Sequence, residues 1–153
     1  MFKDITPVLQ DPAAFRQVIE AFESLLEALK PEVIVGVESR GFIFGAPLAV
    51  KMGLPFVPVR KLGKLPSLTL REDYDLEYGT NTVEIHADAI VPGARVAIMD
   101  DLLATGGTAA ATARLINRVG AEAICLGVVI ELDFLNGRSM LSGLNVLSLI
   151  HVA

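Results

Sequence analysis

The chain has 153 residues, 52% of them apolar and 20% charged. That length and balance support a sizeable hydrophobic core and exclude intrinsic disorder. Thirteen basic residues against eighteen acidic ones leave a net charge of −5, which argues against duplex nucleic acid or an anionic membrane as the main partner. The single cysteine, Cys125, excludes an internal disulfide and any multi-cysteine metal site. No uncharged run approaches the ~20 apolar residues of a bilayer span. The start, Met1-Phe2-Lys3-Asp4, has no signal-peptide pattern. One domain over residues 1–153, working in the cytoplasm, is expected.

In chain order, Asp11-Pro12 reads as an N-cap followed by proline at the first helical position. Phe15, Val18, Ile19, Phe22, Leu25, Leu26 and Leu29 then recur at spacings of three and four, one face of a helix that Lys30-Pro31 closes. Val33–Val37 reads as a strand buried on both faces. Gly41–Met52 follows as an apolar helix with Gly53 as its C-cap, and Phe56–Val59 as another strand. A long polar excursion, Arg60–Asn81, precedes strand-like Val83–Ile85. After the Pro92-Gly93 turn, Arg95–Met99 predicts a buried strand and 100–106 a loop, leading into a helix that ends near Gly120. Ala123–Ile130 and Val146–Ile150 supply two more strands. Strands alternating with helices predict an α/β fold, a mostly parallel twisted sheet covered by helices on both faces. Its ligands should sit at the carboxyl ends of the strands, just after Val37 and Met99.

The stretch Asp100-Asp101-Leu102-Leu103-Ala104-Thr105-Gly106-Gly107-Thr108 is the most informative. Gly106 and Gly107 lack Cβ atoms, so backbone N–H groups can close around an anion where a helix dipole favours negative charge. Thr105 and Thr108 add hydroxyl donors, while the loop lacks the Gly-Lys-Ser/Thr of a Walker A motif. Asp100 and Asp101 would repel a phosphate, so they suit neutral hydroxyls such as a ribose diol, or a magnesium ion. Thr-Gly-Gly-Thr alone reads equally as a capped helix start. Added to the acid pair and the buried strand, it points to a ribose 5-phosphate site.

Two other segments carry charge in suggestive places. Arg40, in Glu38-Ser39-Arg40-Gly41, offers a planar fork suited to pyrophosphate oxygens, although an arginine on a surface loop is the plainer reading. Within 60–81, Arg60, Lys61, Lys64 and Arg71 fall in twelve positions without an acid; Glu72, Asp73, Asp75 and Glu77 follow, with Tyr74 and Tyr78 among them. Long non-core loops of this kind are often lids; a solvated charge run is the alternative. Cys125 reads as inert core, and His86 and His151 have no ligand spacing.

Taken in order, Phe2-Lys3-Asp4-Ile5-Thr6-Pro7, Glu38–Phe42, Arg60–Pro66, Tyr74–Gly79 and Asp100–Thr108 resemble the motifs of the type I phosphoribosyltransferases, over nearly the whole chain. The resemblance implies that family's fold with a flexible hood loop at about 60–85. It implies purine salvage: transfer of the 5-phosphoribosyl group from 5-phosphoribosyl-1-pyrophosphate to adenine, giving AMP and pyrophosphate, with Mg2+ and in a homodimer. Ala104, Thr105, Gly106, Gly107 and Thr108 would hold the 5-phosphate, and Asp100 and Asp101 the ribose and its developing positive charge. Mg2+ would be held mainly through substrate and water, with Asp100 a further ligand. Ser39, Arg40, Arg60, Lys61, Lys64 and Tyr78 would face the pyrophosphate, one basic residue reaching across the dimer. Phe2, Lys3 and Leu132 would frame adenine, although Phe2 reads equally as core, and Glu77 would assist proton movement on the base. Another purine acceptor, xanthine or hypoxanthine, and a non-catalytic donor-sensing domain are the rival readings. Two departures from that family's pattern are expected to matter: Met1-Phe2 opens inside a motif that members normally precede with a segment over the base site, and Asp73 stands where they usually carry a hydroxyl residue before the hood tyrosine.

Overall fold

The computed structural model describes residues 4–76 and 78–153; the expectations placed on Phe2, Lys3 and Glu77 lie outside them. Seven strands form one sheet in the order β3-β4-β2-β1-β5-β6-β7. Its central strand, β1 (Val33–Val37), is buried along its whole length. It pairs in parallel with β2 (Phe56–Lys61) on one side and β5 (Arg95–Leu103) on the other. β6 (Glu122–Leu132) and β7 (Asn145–Val152) extend the parallel part. β3 (Thr69–Asp75) and β4 (Thr80–His86) pair antiparallel with each other, and β4 antiparallel with β2.

Strand alternation divides the core in two. Val33, Val35 and Val37 face the layer that α4 (Gly107–Arg118) covers with Ala110, Ala111, Leu115 and Ile116. Ile34, Ala97 and Met99 face the opposite layer. There α2 (Pro12–Glu27) contributes Ile19, Phe22 and Leu26, and α3 (Arg40–Met52) contributes Phe44, Leu48 and Ala49. The Asp11 carboxylate caps α2 as expected, accepting the Ala13 and Ala14 N–H groups at 3.0 and 3.3 Å. That cap is worth about 1 kcal/mol, whereas burying each of Phe22, Leu26, Phe44 and Leu48 contributes up to about 1.5–3 kcal/mol. Packing therefore governs where these helices lie. Among the described residues no helix is long and apolar enough to cross a membrane.

The structure departs from the sequence reading in several places. A short helix, α1 (Thr6–Gln10), precedes α2, and Leu25 is exposed because the buried stripe of α2 is narrower than its apolar periodicity. Residues 60–81 are not one open loop. The end of β2, all of β3 and the start of β4 order most of them, with Thr69 opposite His86 and Asp75 opposite Thr80. Polar strands are stable here because their charges are matched. Glu72 takes Arg114 and Arg118 from α4 at 3.1 Å each, and Thr82 donates to Asp73 at 2.6 Å. Finally, β5 runs on to Leu103, so Asp100 and Asp101 belong to a strand rather than to the loop expected at 100–106.

Candidate active site

β1 and β5 lie side by side, with Val35 beside Ile98 and Gly36 beside Met99. From β1 the chain turns to β2 on one side, while β5 and β6 build the sheet on the other. A reversal of this kind opens a crevice at the carboxyl ends of the strands. Glu38, Ser39 and Arg40 enter it after β1; Asp100 and Asp101 enter it from β5. With Lys61, Tyr74, Asn81, Leu102 and Thr108 they line a pocket of about 300 Å3. A smaller cavity of about 90 Å3, lined by residues 102–109 together with Asp100, Leu126 and Val128, shares Asp100, Leu102 and Thr108 with it.

The two acids differ in their surroundings. Asp101 is only 5% exposed, and its Oδ2 accepts the Arg40 Nε–H at 2.5 Å. Asp100 Oδ1 accepts the Asp101 backbone N–H at 2.8 Å. Burial of its carboxyl, then the adjacent Asp101 charge, hold Asp100 well above the ordinary carboxylate range. Arg40 is held above its ordinary value, first by its hydrogen bond to Asp101. The site thus pairs two close oxygen-rich side chains with one fixed guanidinium.

The glycine loop forms the floor of the smaller cavity. Gly106 sits at φ 91°, a left-handed conformation, at the N-cap of α4. A helix start leaves backbone N–H groups without intrahelical partners, and here the residues of that start, with Thr105 and Thr108 among them, line a cavity. The Tyr74 ring lies over Gly107, so β3 roofs the mouth of the helix. All five residues expected at the phosphate, from Ala104 to Thr108, are brought together.

The basic residues behave less uniformly. Lys61 lines the pocket beside Ser39 and Arg40. Arg60 instead turns to Glu38, with Nε at 2.7 Å and Nη2 at 2.6 Å from Oε1. Burial alone would raise the Glu38 carboxyl; the Lys61 N–H and the Arg60 guanidinium outweigh it and hold the group low. Lys64 is exposed, and its carbonyl oxygen accepts Arg60 Nη1 at 3.4 Å. Tyr78 is 87% exposed; the tyrosine that reaches the pocket is Tyr74. Leu132, at the end of β6, is 7% exposed and belongs to the core layer facing α2 and α3. It lines neither cavity.

Three contributors escaped the sequence reading. Glu38 was visible within its motif, but nothing in the sequence says that it grips Arg60 and the Lys61 N–H. Asn81 lines the pocket only because β4 turns back beside β2. Glu84, 2% exposed, accepts Gly63 N–H at 3.0 Å, the Thr69 hydroxyl at 3.1 Å and Arg71 Nε at 2.9 Å. No periodic pattern marks it. Cys125 is buried, its thiol pushed up to about 12 by burial, as suits an inert core position. His151, given no role, lies 2.9 Å from Asp133.

Residues 4–139 match the phosphoribosyl transferase domain family. An adenine phosphoribosyltransferase of Desulfitobacterium hafniense is 55% identical over 149 residues, 97% of this chain and 86% of that protein. The crystal structure of adenine phosphoribosyltransferase from Thermoanaerobacter pseudethanolicus superposes with a TM-score of 0.96 at 52% identity, covering 99% of this chain and 88% of that one. The Saccharomyces cerevisiae enzyme, solved with an imino-altritol bisphosphate and adenine, gives a TM-score of 0.93 at 45% identity, over 97% and 86% of the two chains. With the expected α/β sheet in place and residues after β1, β2 and β5 lining one pocket, the chain belongs to the adenine phosphoribosyltransferase family.

Proposed function

We propose that this chain transfers the 5-phosphoribosyl group from 5-phosphoribosyl-1-pyrophosphate to N9 of adenine, giving AMP and pyrophosphate in purine salvage. The observation that carries the reading is a pair of adjoining cavities that share Asp100, Leu102 and Thr108. An acid pair at the end of β5 and a glycine-threonine helix start share it with an arginine and a lysine. Groups suited to a phosphate, a sugar diol and a pyrophosphate line these two cavities, which supports the reading. The relatives named for adenine support that base over hypoxanthine or xanthine.

In the reaction the bond from C1 to the pyrophosphate oxygen breaks, the bond from C1 to N9 forms, and N9 loses its proton. Positive charge builds on the ribosyl ring as the leaving group departs, so catalysis rests on positioning and electrostatics. Ala104–Thr108 anchor the 5-phosphate, and Asp100 and Asp101 hold the ring hydroxyls and stabilise the developing cation. Ser39, Arg40 and Lys61 receive the pyrophosphate. Arg60, braced by Glu38, sets the strand that carries Lys61, and Lys64 and Tyr78 complete the outer, solvent-facing rim. Glu77 accepts or relays the purine proton, while Phe2 and Lys3 frame the base.

The carboxylate oxygens of Asp100 and Asp101 are hard donors of the type Mg2+ takes. Such an ion would be held mainly through substrate and water, with Asp100 a further ligand. When bound, the ion offsets charge on the pyrophosphate. We further read the chain as a cytoplasmic homodimer, which the family resemblance supports and sedimentation would test. To test the reaction, the chain is incubated with the donor, Mg2+ and equimolar adenine, hypoxanthine, guanine and xanthine. AMP as the dominant product is expected; IMP, GMP or XMP in its place, or no nucleotide at all, would overturn the assignment.

A further inference from the structure

The phosphate loop is not free-standing: a second segment lies against its backbone. After β6 the chain makes two 3-10 turns, Asp133–Leu135 and Gly137–Met140. A Cβ built on Gly106 would fall 2.5 Å from the Gly137 carbonyl oxygen and 3.0 Å from the Met140 Cβ. One built on Gly137 would lie closer still to the Ala104 carbonyl oxygen, and 3.0 Å from the Leu103 side chain. Two backbones thus meet with no room for a side chain between them, and the shape of one limits the shape of the other.

The second turn is itself held. Arg138 makes a bidentate pair with Glu131, Nε to Oε1 at 2.7 Å and Nη2 to Oε2 at 2.8 Å. The Ser148 hydroxyl donates to the same Oε2. Glu131 is almost wholly buried and pairs in register with Leu103, the residue immediately before the loop. Arg138 first, then Ser148, hold the Glu131 carboxyl below its ordinary value against burial. Although Asp133 and His151 lie close by, both Glu131 oxygens are already engaged; the carboxylate serves as an anchor. Forked arginine–carboxylate pairs fix direction as well as distance.

We propose that Arg138, locked to Glu131, is a positioning residue. It presses Gly137 against Ala104–Gly106 and so sets the loop in the conformation that takes a 5-phosphorylated pentose. This rests on reading the loop as the 5-phosphate site. The probe is ribose 5-phosphate, titrated calorimetrically into the full chain, alongside separate KM values for the donor and for adenine. Arg138→Gln should weaken ribose 5-phosphate and raise the donor KM roughly tenfold, short of the ~10²-fold cost of a 1 Å misplacement. The adenine KM and the kcat at saturating donor should hold. Arg138→Lys should recover part of the loss, since it keeps charge without the fork. Gly137→Ala should approach the larger loss; should it fail to fold, the half-exposed Arg138 carries the test. If wild-type protein does not bind ribose 5-phosphate, the reading of the loop falls. If it binds and Arg138→Gln binds equally well, or if both KM values rise together with a lowered Tm, the positioning role is overturned.

Discussion

The two walls of the site are built by opposite means. On the α4 side the anion cradle is main chain: a left-handed Gly106, a helix start and a turn backed by Gly137. On the β2–β4 side the wall is side chain, and two carboxylates brace it, Glu84 buried and Glu38 partly so. Glu38 grips Arg60 and the Lys61 N–H; Glu84 grips the Gly63 N–H, Thr69 and Arg71. A main-chain cradle depends on backbone shape and tolerates little added bulk. A side-chain wall depends on charge pairing and should respond to pH. Asp101 joins them, sitting at the end of β5 and bonded to Arg40 of α3.

That contrast can be broken experimentally, and the largest effect should fall at the joint. Asp101→Asn is expected to lower kcat roughly 10²–10³-fold, the order seen when one preorganised electrostatic contact is lost. Turnover near wild type in steady-state assays would remove Asp101 from the chemistry. Next comes Glu84→Gln, expected to cost about 1–3 kcal/mol because charged hydrogen bonds are lost in a buried position. Thermal melts should show it as roughly 2–4 °C for each kcal/mol. Its pH dependence has a definite sign. Burial alone would raise Glu84; Gly63, Thr69 and Arg71 outweigh it and hold the folded carboxyl below its ordinary 4.5. The stabilisation is therefore complete above that value and is lost as pH falls through the lower, folded one. Urea midpoints against pH should show a flatter acid limb for Glu84→Gln than for wild type.

Smaller effects sharpen the same contrast. Thr108→Val should weaken donor binding roughly tenfold through loss of one hydroxyl donor to a charged group, with kcat little changed; an unaltered donor Kd would take the side chain out of the cradle. Tyr78→Ala should change stability by less than about 0.5 kcal/mol, as exposed positions do. A larger drop in the unfolding midpoint would mean that this ring is packed, unlike Tyr74.

Much of the parallel half was legible. Val33–Val37 is continuously apolar because both its faces are covered, and that run announced the central strand. Asp11-Pro12 and Gly53 marked helix ends because capping is decided within a few residues; Gly53 indeed has φ 68°. The hairpin was not legible. Thr69–Asp75 is stabilised by Arg114, Arg118 and Glu84, partners 13 to 47 residues away, so its local pattern reads as a polar lid loop or solvated charge rather than a strand. For the same reason Arg60 and Lys61, adjacent and alike in sequence, part company in space: one faces Glu38 and the other the pocket.

By itself, then, the sequence determined the elements whose cause is local, and it determined the chemical inventory of the site. Periodicity marked the buried strands and helices, and the order of the motifs marked the acid pair, the glycine loop and the basic segment. Only the tertiary structure decided which members of that inventory face the pocket. It turned Arg60 aside, brought in Tyr74 and Asn81, carried Asp100 and Asp101 onto a strand, and set Gly137 against Gly106. The reason is physical: a buried charge takes its direction from partners that only folding brings within reach, and close backbone packing is a property of two segments at once.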